Sequence, residues 1–192
     1  MTVEEIFSRL SAHMVKGLMI HDHFATMFNF LNLCGYRKCH EYHYFEESLN
    51  YRCLQNFYLD HFNKLIVEEK VEVPDLIPAN WFKHERMDVD ASTKRTAIRE
   101  IYKQWVDWET ETKQLYESSY KELYELGEIA AAIKISYFIE DVSAELTRAR
   151  EKQLNLESHG YDMVAIIDEQ KSLYNSYVKK IKETFEDDDN DD

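Results

Sequence analysis

Histidine and glutamate side chains are concentrated in residues 40–47 (HEYHYFEE), a stretch that the surrounding sequence predicts to be helical. At about 3.6 residues per turn, His40, His43 and Glu47 share one face of this helix with apolar residues further along the chain. Imidazole and carboxylate groups bind Fe and Mn, and they also serve as general acids and bases. The stretch is therefore a candidate metal site, an acid–base site or a self-contained polar cluster.

Inward-facing titratable residues also occur on three other predicted helices. His21 lies on the apolar stripe of the first helix, with Asp22 at the edge of that stripe. Glu109 interrupts the stripe of the third helix, and Glu145 that of the fourth, where Asp141 flanks it. A buried charge without a partner is costly, so these groups are expected to meet one another or a metal ion.

The elements that position these residues are predicted to be helices. Only 4 Gly and 2 Pro occur in 192 residues, which excludes most turn-rich β architectures. Apolar periodicity and helix-end signals predict five helices, with Gly35 ending the first and residues 1–185 forming one domain. Their expected ranges are about 2–33, 37–66, 90–127, 128–157 and 162–185, with a crossover over about 67–91. The inward face expected for the fifth helix consists of Val164, Ile167, Tyr174, Val178 and Ile181.

The heights of the polar groups along such a bundle follow from the turn positions. A turn just after the predicted end of the first helix sets His21 opposite Glu47. A turn between the third and fourth helices sets Glu109 opposite Glu145. Because the crossover places these two turns at opposite ends, the four helices bring their polar groups to one level. His40 lies nearer the first turn and is not expected to belong to the group.

Two long antiparallel helix pairs joined by a crossover, with inward carboxylates and histidines, resemble the ferritin-like superfamily of di-iron and di-manganese carboxylate proteins. The resemblance covers residues 2 to about 157. The family's Glu-x-x-His motif is absent, and the second helix carries the reverse order in His43-Tyr44-Phe45-Glu46. The resemblance implies an all-α, ferritin-like antiparallel four-helix bundle with an extra C-terminal helix. It further implies a protein that binds Fe or Mn and handles iron, O2 or peroxide. Ferritin-like proteins often pair or form cages, so a homodimer is one expected state. The expected metal ligands are His21, His43, Glu46 or Glu47, Glu109 and Glu145, with Asp22 and Asp141 as supporting or alternative ligands.

The net charge of −14 favours a second hypothesis. Six acidic residues lie in residues 186–192, which are expected to form a disordered tail. So acidic a chain is not expected to bind nucleic acid or an anionic membrane directly. It suits an acidic interaction protein that mimics nucleic acid and inhibits a basic nucleic-acid-binding protein, as phage and mobile-element accessory factors do. A third possibility is that the inward polar cluster only fixes the helix register.

The remaining signals concern location. The sequence has no apolar run of about 20 residues, and its first residues lack the features of a signal peptide. Its 3 cysteines are an odd number on helical segments, which favours reduced thiols. We therefore expect a cytoplasmic protein without a membrane span.

Overall fold

The computed structural model describes residues 1–67, 70–72, 76, 85 and 89–186, with only the backbone described at 184–186. These residues contain five long α-helices, and the prediction of an all-α fold is confirmed for them. The helices are α1 (Val3–Phe30), α2 (Cys34–Phe62), α3 (Ala91–Glu125), α4 (Ile129–Ser158) and α5 (Met163–Glu186). The acidic residues 187–192 lie outside the described residues.

Local signals account for most of the helix ends. Thr2 and Glu5 form a reciprocal capping box at the start of α1. The Asp90 side chain accepts a hydrogen bond from the Thr93 backbone N–H and so caps α3. Gly127, with a φ of 81°, takes the left-handed conformation that follows the end of α3.

The turn between α1 and α2 lies earlier than the sequence predicted. The chain reverses at residues 31–33, where Asn32 adopts a φ of 57°. Asn tolerates this conformation because its short polar side chain hydrogen-bonds locally. Gly35, expected to end the first helix, is instead buried within α2. A Cβ atom at Gly35 would lie 1.9 Å from the backbone oxygen of Gln170, so this glycine allows α5 to approach closely.

The helix directions explain why a long crossover is needed. α1 packs antiparallel to α2, and α3 packs against α4 as a second hairpin. α1 also runs antiparallel to α3, since Arg9 pairs with Glu122 and His21 lies near Glu109. α2 and α3 consequently run in the same direction, and the segment joining them must return along the bundle. Much of the predicted crossover, residues 67–91, lies outside the described residues.

The apolar core is divided into two clusters with a polar layer between them. One cluster gathers around Phe24, Phe28 and Trp105, and the other around Phe7 and Leu54. Each fully buried Leu, Ile or Phe contributes roughly 1.5–3 kcal/mol, so the two clusters offset the cost of burying polar groups between them. The buried titratable residues of the layer are His21, His40, His43, Glu47 and Glu109.

The inward face predicted for α5 is wrong in part. Val164 is 67% exposed, and Ile167 and Tyr174 are also exposed. The buried residues are instead Ile166, Leu173 and Tyr177. α5 runs parallel to α2 and contacts it along one side only, so the side that faces α2 at Gly35 determines which residues are buried. None of the helices in the described part of the chain combines the length and the apolar character that a membrane span requires.

Candidate metal centre

The structure brings six of the eight residues predicted as ligands or supporting groups to the polar layer. α1 supplies His21, α3 supplies Glu109, and α4 supplies Glu145. The other three are on α2 and consist of His43, Glu46 and Glu47. Asp22 is not among them: it is exposed, since the residue after an inward-facing His21 points away from the bundle. Asp141 is also exposed and lies at the edge of a cavity described below.

The part of the layer nearest the surface contains His43, Glu46 and Glu145. The Nδ1 atom of His43 lies 3.1 Å from Glu145 Oε1 and 3.1 Å from Glu46 Oε2. One ligand atom from each of the three residues falls within 4.8 Å of the others. One imidazole and two carboxylates at these separations can hold a divalent metal ion.

The part nearest the bundle axis contains His21, His40 and Glu109. The Nε2 atom of His21 lies 3.7 Å from Glu109 Oε1. Trp105 Nε1 donates a hydrogen bond of 2.9 Å to the same Glu109 oxygen, which fixes the carboxylate. The Nδ1 atoms of His21 and His40 are 3.1 Å apart. These contacts orient the imidazoles, but some nitrogen and oxygen atoms of these side chains still have no hydrogen-bond partner among the described residues.

Apart from Glu46 Oε2, which lies 3.1 Å from His43 Nδ1, four buried ligand atoms of the layer have no hydrogen-bond partner among the described residues. They are His21 Nε2, His43 Nε2, Glu47 Oε2 and Glu109 Oε2. A buried polar atom without a partner costs about 1–3 kcal/mol, and folded proteins contain few of them. Within this layer all four lie on imidazoles and carboxylates, the groups that bind Fe and Mn. The residues present therefore fit a metal ion.

Burial keeps most of the interior of the layer uncharged in the metal-free state. It raises the pKa of Glu109 to about 8, with the charge of Glu145 adding to the effect. Burial and the charges of Glu145 and Glu109 raise the pKa of Glu47 well above its usual value. Burial also lowers the pKa of His21 to about 3 and that of His40 well below 6.5. These groups are therefore largely neutral near pH 7.

His43 is the exception and carries the positive charge of the layer. Burial by itself lowers the pKa of His43, but the charge of Glu145 and hydrogen bonds with Cys39, Glu145 and Glu46 raise it well above 6.5. The pKa of Glu46 is lowered, because its hydrogen bond and charge interaction with His43 outweigh its burial. In the metal-free protein, the His43 imidazolium thus supplies the cation that the carboxylates require.

Gly17 on α1 makes room for Glu47. A Cβ atom at this position would lie 3.1 Å from Trp108 Cζ2 and 3.6 Å from Glu47 Cδ. Glycine lowers helix stability by roughly 0.5–1 kcal/mol relative to alanine, so a helical glycine facing a buried carboxylate has a packing reason. The glycine lets the α1 backbone lie against the Glu47 carboxylate, whose Oε2 atom has no hydrogen-bond partner in the described part of the chain.

A cavity connects the polar layer with solvent between α2, α4 and α5. Its volume is about 390 Å³. Glu46 and Glu145 form its polar wall together with Asp141, and Arg148 lies beside them. Tyr177 of α5 is buried against His43, with 5.9 Å between ring centroids, so α5 closes the side next to this cavity. An ion can reach the carboxylates here without the bundle unfolding.

His40 is the residue that the sequence analysis left out. It is buried, contacts His21, and packs its ring against Trp105 at 4.8 Å between centroids. The predicted height of His40 was wrong because the turn between α1 and α2 comes earlier than expected, and this earlier turn brings His40 to the height of His21. The signal was present: His40 and His43 are three residues apart on one helix face, the spacing of a Glu-x-x-His pair.

Known structures share this architecture. An engineered closed form of the Archaeoglobus fulgidus ferritin is 14% identical to the chain, with a TM-score of 0.73 over 91% of this chain and 96% of that one. The open-pore ferritin of the same archaeon is 15% identical, with a TM-score of 0.73 over 89% of this chain and 94% of that one. A PmFTN variant soaked in iron is 10% identical, with a TM-score of 0.68 over 87% and 96% of the two chains. No protein-family model and no curated protein sequence matches the chain.

The chain has a ferritin-like fold. Di-iron proteins of ferritin-like fold use a Glu-x-x-His pair on each of two helices. At the same three-residue spacing, α2 of this ferritin-like bundle presents His40 and His43, and α4 presents Glu145 and Arg148. The Arg148 guanidinium lies 3.9 Å from Glu145. At this spacing α2 thus carries two imidazoles, and α4 carries a carboxylate and a cation.

Proposed function

We propose that this protein is a ferritin-like di-metal carboxylate protein that binds Fe or Mn and handles iron, O2 or peroxide. The observation that carries the proposal is the set of four buried imidazole and carboxylate atoms without partners, contributed by α1, α2 and α3. They lie beside the group of His43, Glu46 and Glu145, whose ligand atoms are within 4.8 Å of one another.

The proposed ligands form two groups, one for each of two metal positions. His43, Glu46 and Glu145 bind the ion nearer the cavity, with Asp141 at its mouth as an alternative ligand. His21 Nε2 and Glu109 would hold the ion nearer the bundle axis, and His40 would fix the His21 ring through the contact between their Nδ1 atoms. Glu47, whose Oε2 atom is buried beside both groups without a partner among the residues described, would supply a further carboxylate ligand. Asp22 has no part in this arrangement.

Bound Fe or Mn would supply redox chemistry toward O2 or peroxide. The protein binds and orients the ions, and the two apolar clusters exclude water on either side of the layer. Glu109, with a pKa of about 8, and Glu47 hold protons that metal binding releases. Trp105 keeps the Glu109 carboxylate in place through its hydrogen bond.

Metal content per chain tests the proposal directly. The purified protein is stripped with a chelator, mixed with Fe(II) or Mn(II) without oxygen, desalted, and analysed for metal by mass spectrometry. We expect about two ions per chain at saturation. Fewer than about half an ion per chain would refute the proposal, because the group of partnerless ligands would then be a structural feature.

A matched pair of double variants separates the site from general acidity. Glu109→Gln with Glu145→Gln removes one carboxylate from α3 and one from α4 at the layer. Glu100→Gln with Glu140→Gln makes the same two substitutions at exposed positions of the same helices. We expect the first variant to lose most of its metal and the second to retain it, with unchanged circular dichroism for both.

The net charge of −14 favours the acidic interaction protein as a second candidate. Under that hypothesis the bundle is a scaffold that presents carboxylates to a basic partner, and chelation leaves binding intact. Raising the salt concentration would weaken such binding, since exposed charges are screened. Partner binding lost through Glu100→Gln with Glu140→Gln, but retained in the metal-free protein, would favour this candidate over the first.

A further inference from the structure

A cysteine and a lysine meet on the surface between α2 and α4, away from the candidate metal centre. Cys53 is exposed on α2, and Lys134 extends from α4. The Lys134 Nζ atom lies 2.8 Å from the Cys53 Sγ atom. This separation is within the range of N–H···O hydrogen bonds although sulfur is larger than oxygen, so the two atoms are unusually close for an N–H···S contact.

The register of the two helices brings this pair together. From His43 to Cys53 the α2 residue advances by ten positions, while its α4 partner moves back from Glu145 to Lys134. The same antiparallel register continues to the contact of His61 with Glu128. The backbone arrangement of α2 and α4 therefore holds the thiol and the amine next to each other.

The other two thiols have different surroundings. Cys39 is buried beside His43 and Tyr177, and Cys34 is half-buried near the start of α2. Within the described part of the chain, Cys53 alone among the three cysteines combines exposure with a lysine amine in contact with its sulfur. An exposed thiol is accessible to oxidants, and the amine nitrogen 2.8 Å away is placed to be joined to the sulfur when it is oxidised.

We propose that Cys53 and Lys134 form an oxidation-dependent N–O–S cross-link between α2 and α4. One molecule of dioxygen supplies the bridging oxygen atom and is itself reduced. The lysine loses one N–H bond, the cysteine loses its S–H bond, and the O–O bond breaks. N–O and O–S bonds form, and the two hydrogens leave with the second oxygen atom as water. Two equivalents of a dithiol return the four electrons, which restores the amine and the thiol and releases the bridging oxygen as water.

The cross-link is a modification site that does not depend on metal binding. It joins the two helices that carry His43 and Glu145, and so holds one side of the bundle together under oxidising conditions. By restricting the unfolded chain as a disulfide does, it stabilises the fold. We expect the oxidised protein to melt about 5 °C above the reduced protein.

Peptide mass spectrometry tests the linkage on chelator-treated full-length protein. One sample is kept under nitrogen with dithiothreitol, and the other is exposed to oxygen-saturated buffer. After digestion with trypsin, we expect the oxidised sample to contain residues 53–64 joined to residues 122–148, because trypsin does not cleave after a modified Lys134. The joined mass should exceed the sum of the two peptides by about 14 Da, one oxygen atom less two hydrogens.

Other masses would overturn the proposal. A joined pair lighter by about 2 Da would indicate a direct S–N bond, and about 16 Da on the Cys53 peptide alone would indicate sulfenic acid. An unchanged peptide map would refute any reaction at the pair. Cys53→Ser and Lys134→Arg should each abolish the joined peptide and the rise in melting temperature. Cys34→Ser and Lys121→Arg, which change the same residue types elsewhere, should leave both in place.

Discussion

Removing the Glu109 carboxyl group should change how the stability of the metal-free protein depends on pH. Glu109 is fully buried, and its pKa in the folded state is raised from 4.5 to about 8. Between these values the folded protein holds a proton that the unfolded chain releases. Its free energy of unfolding therefore falls as pH rises from 4.5, and the loss is complete above about pH 8.

The magnitude follows from the size of the shift. At roughly 1.4 kcal/mol per pKa unit, a shift from 4.5 to about 8 corresponds to about 5 kcal/mol. His21 acts in the opposite direction, because its pKa is lowered from 6.5 to about 3 and stability rises with pH over that interval. The two effects oppose each other up to about pH 6.5. Above pH 6.5 the raised pKa values of Glu109, Glu47 and His43 all make stability fall as pH rises, and the part due to Glu109 is a loss of about 2 kcal/mol by pH 8.

Urea denaturation of chelator-treated protein at pH 6.5 and pH 8 measures this loss. We expect the wild-type protein to lose about 2 kcal/mol or more, and Glu109→Gln to lose less by that amount. Glu100→Gln, an exposed change on the same helix, should behave as the wild type. Equal losses in the wild type and Glu109→Gln would show that Glu109 is already ionised in the metal-free fold, and would refute the account of a neutral interior.

Three further substitutions test packing and ligand roles. Gly35→Ala should destabilise the fold by about 3 kcal/mol in urea denaturation, since the added methyl group overlaps the backbone of α5. An unchanged stability would show that α5 does not approach α2 so closely at this position. His40→Gln should weaken Mn(II) or Fe(II) binding by about tenfold or more in titrations, while His61→Gln, at an exposed position of the same helix, should not. Arg148→His should strengthen metal binding, because it removes a cation and completes a Glu-x-x-His pair on α4, whereas Arg150→His should have no effect.

Much of the fold was predictable because its helix ends carry local signals. The capping box of Thr2 and Glu5, the Asp90 cap and the turn at Gly127 each depend on a few neighbouring residues. Gly35 was misread for the opposite reason. Its role is to admit the backbone of α5, about 135 residues further along the chain, and no local pattern distinguishes that role from a helix end.

The candidate site was predictable to the extent that helical periodicity determines which residues face inward. His21, Glu109 and Glu145 were located in this way, since each interrupts an apolar stripe. The predicted heights of these side chains along the bundle were less reliable, because they depend on where each turn lies. A turn formed at Asn32 rather than near Gly35 brings His40, not Glu47, closest to His21. The prediction of which α5 residues are buried was partly wrong for a similar reason. A helix that packs on one side only has a buried face that its own sequence determines weakly.

The charge state of the layer connects the fold to the proposed chemistry. A four-helix bundle with three buried imidazoles and several carboxylates must either neutralise them or provide a cation. In the metal-free protein it does both: protons neutralise Glu47 and Glu109, and the His43 imidazolium faces Glu46 and Glu145. Under the proposed function, a bound metal ion would take the place of that imidazolium charge and would use the ligand atoms that have no partner within the described ranges. The same groups would therefore account both for the charge balance of the metal-free bundle and for a site that binds metal more tightly as pH rises.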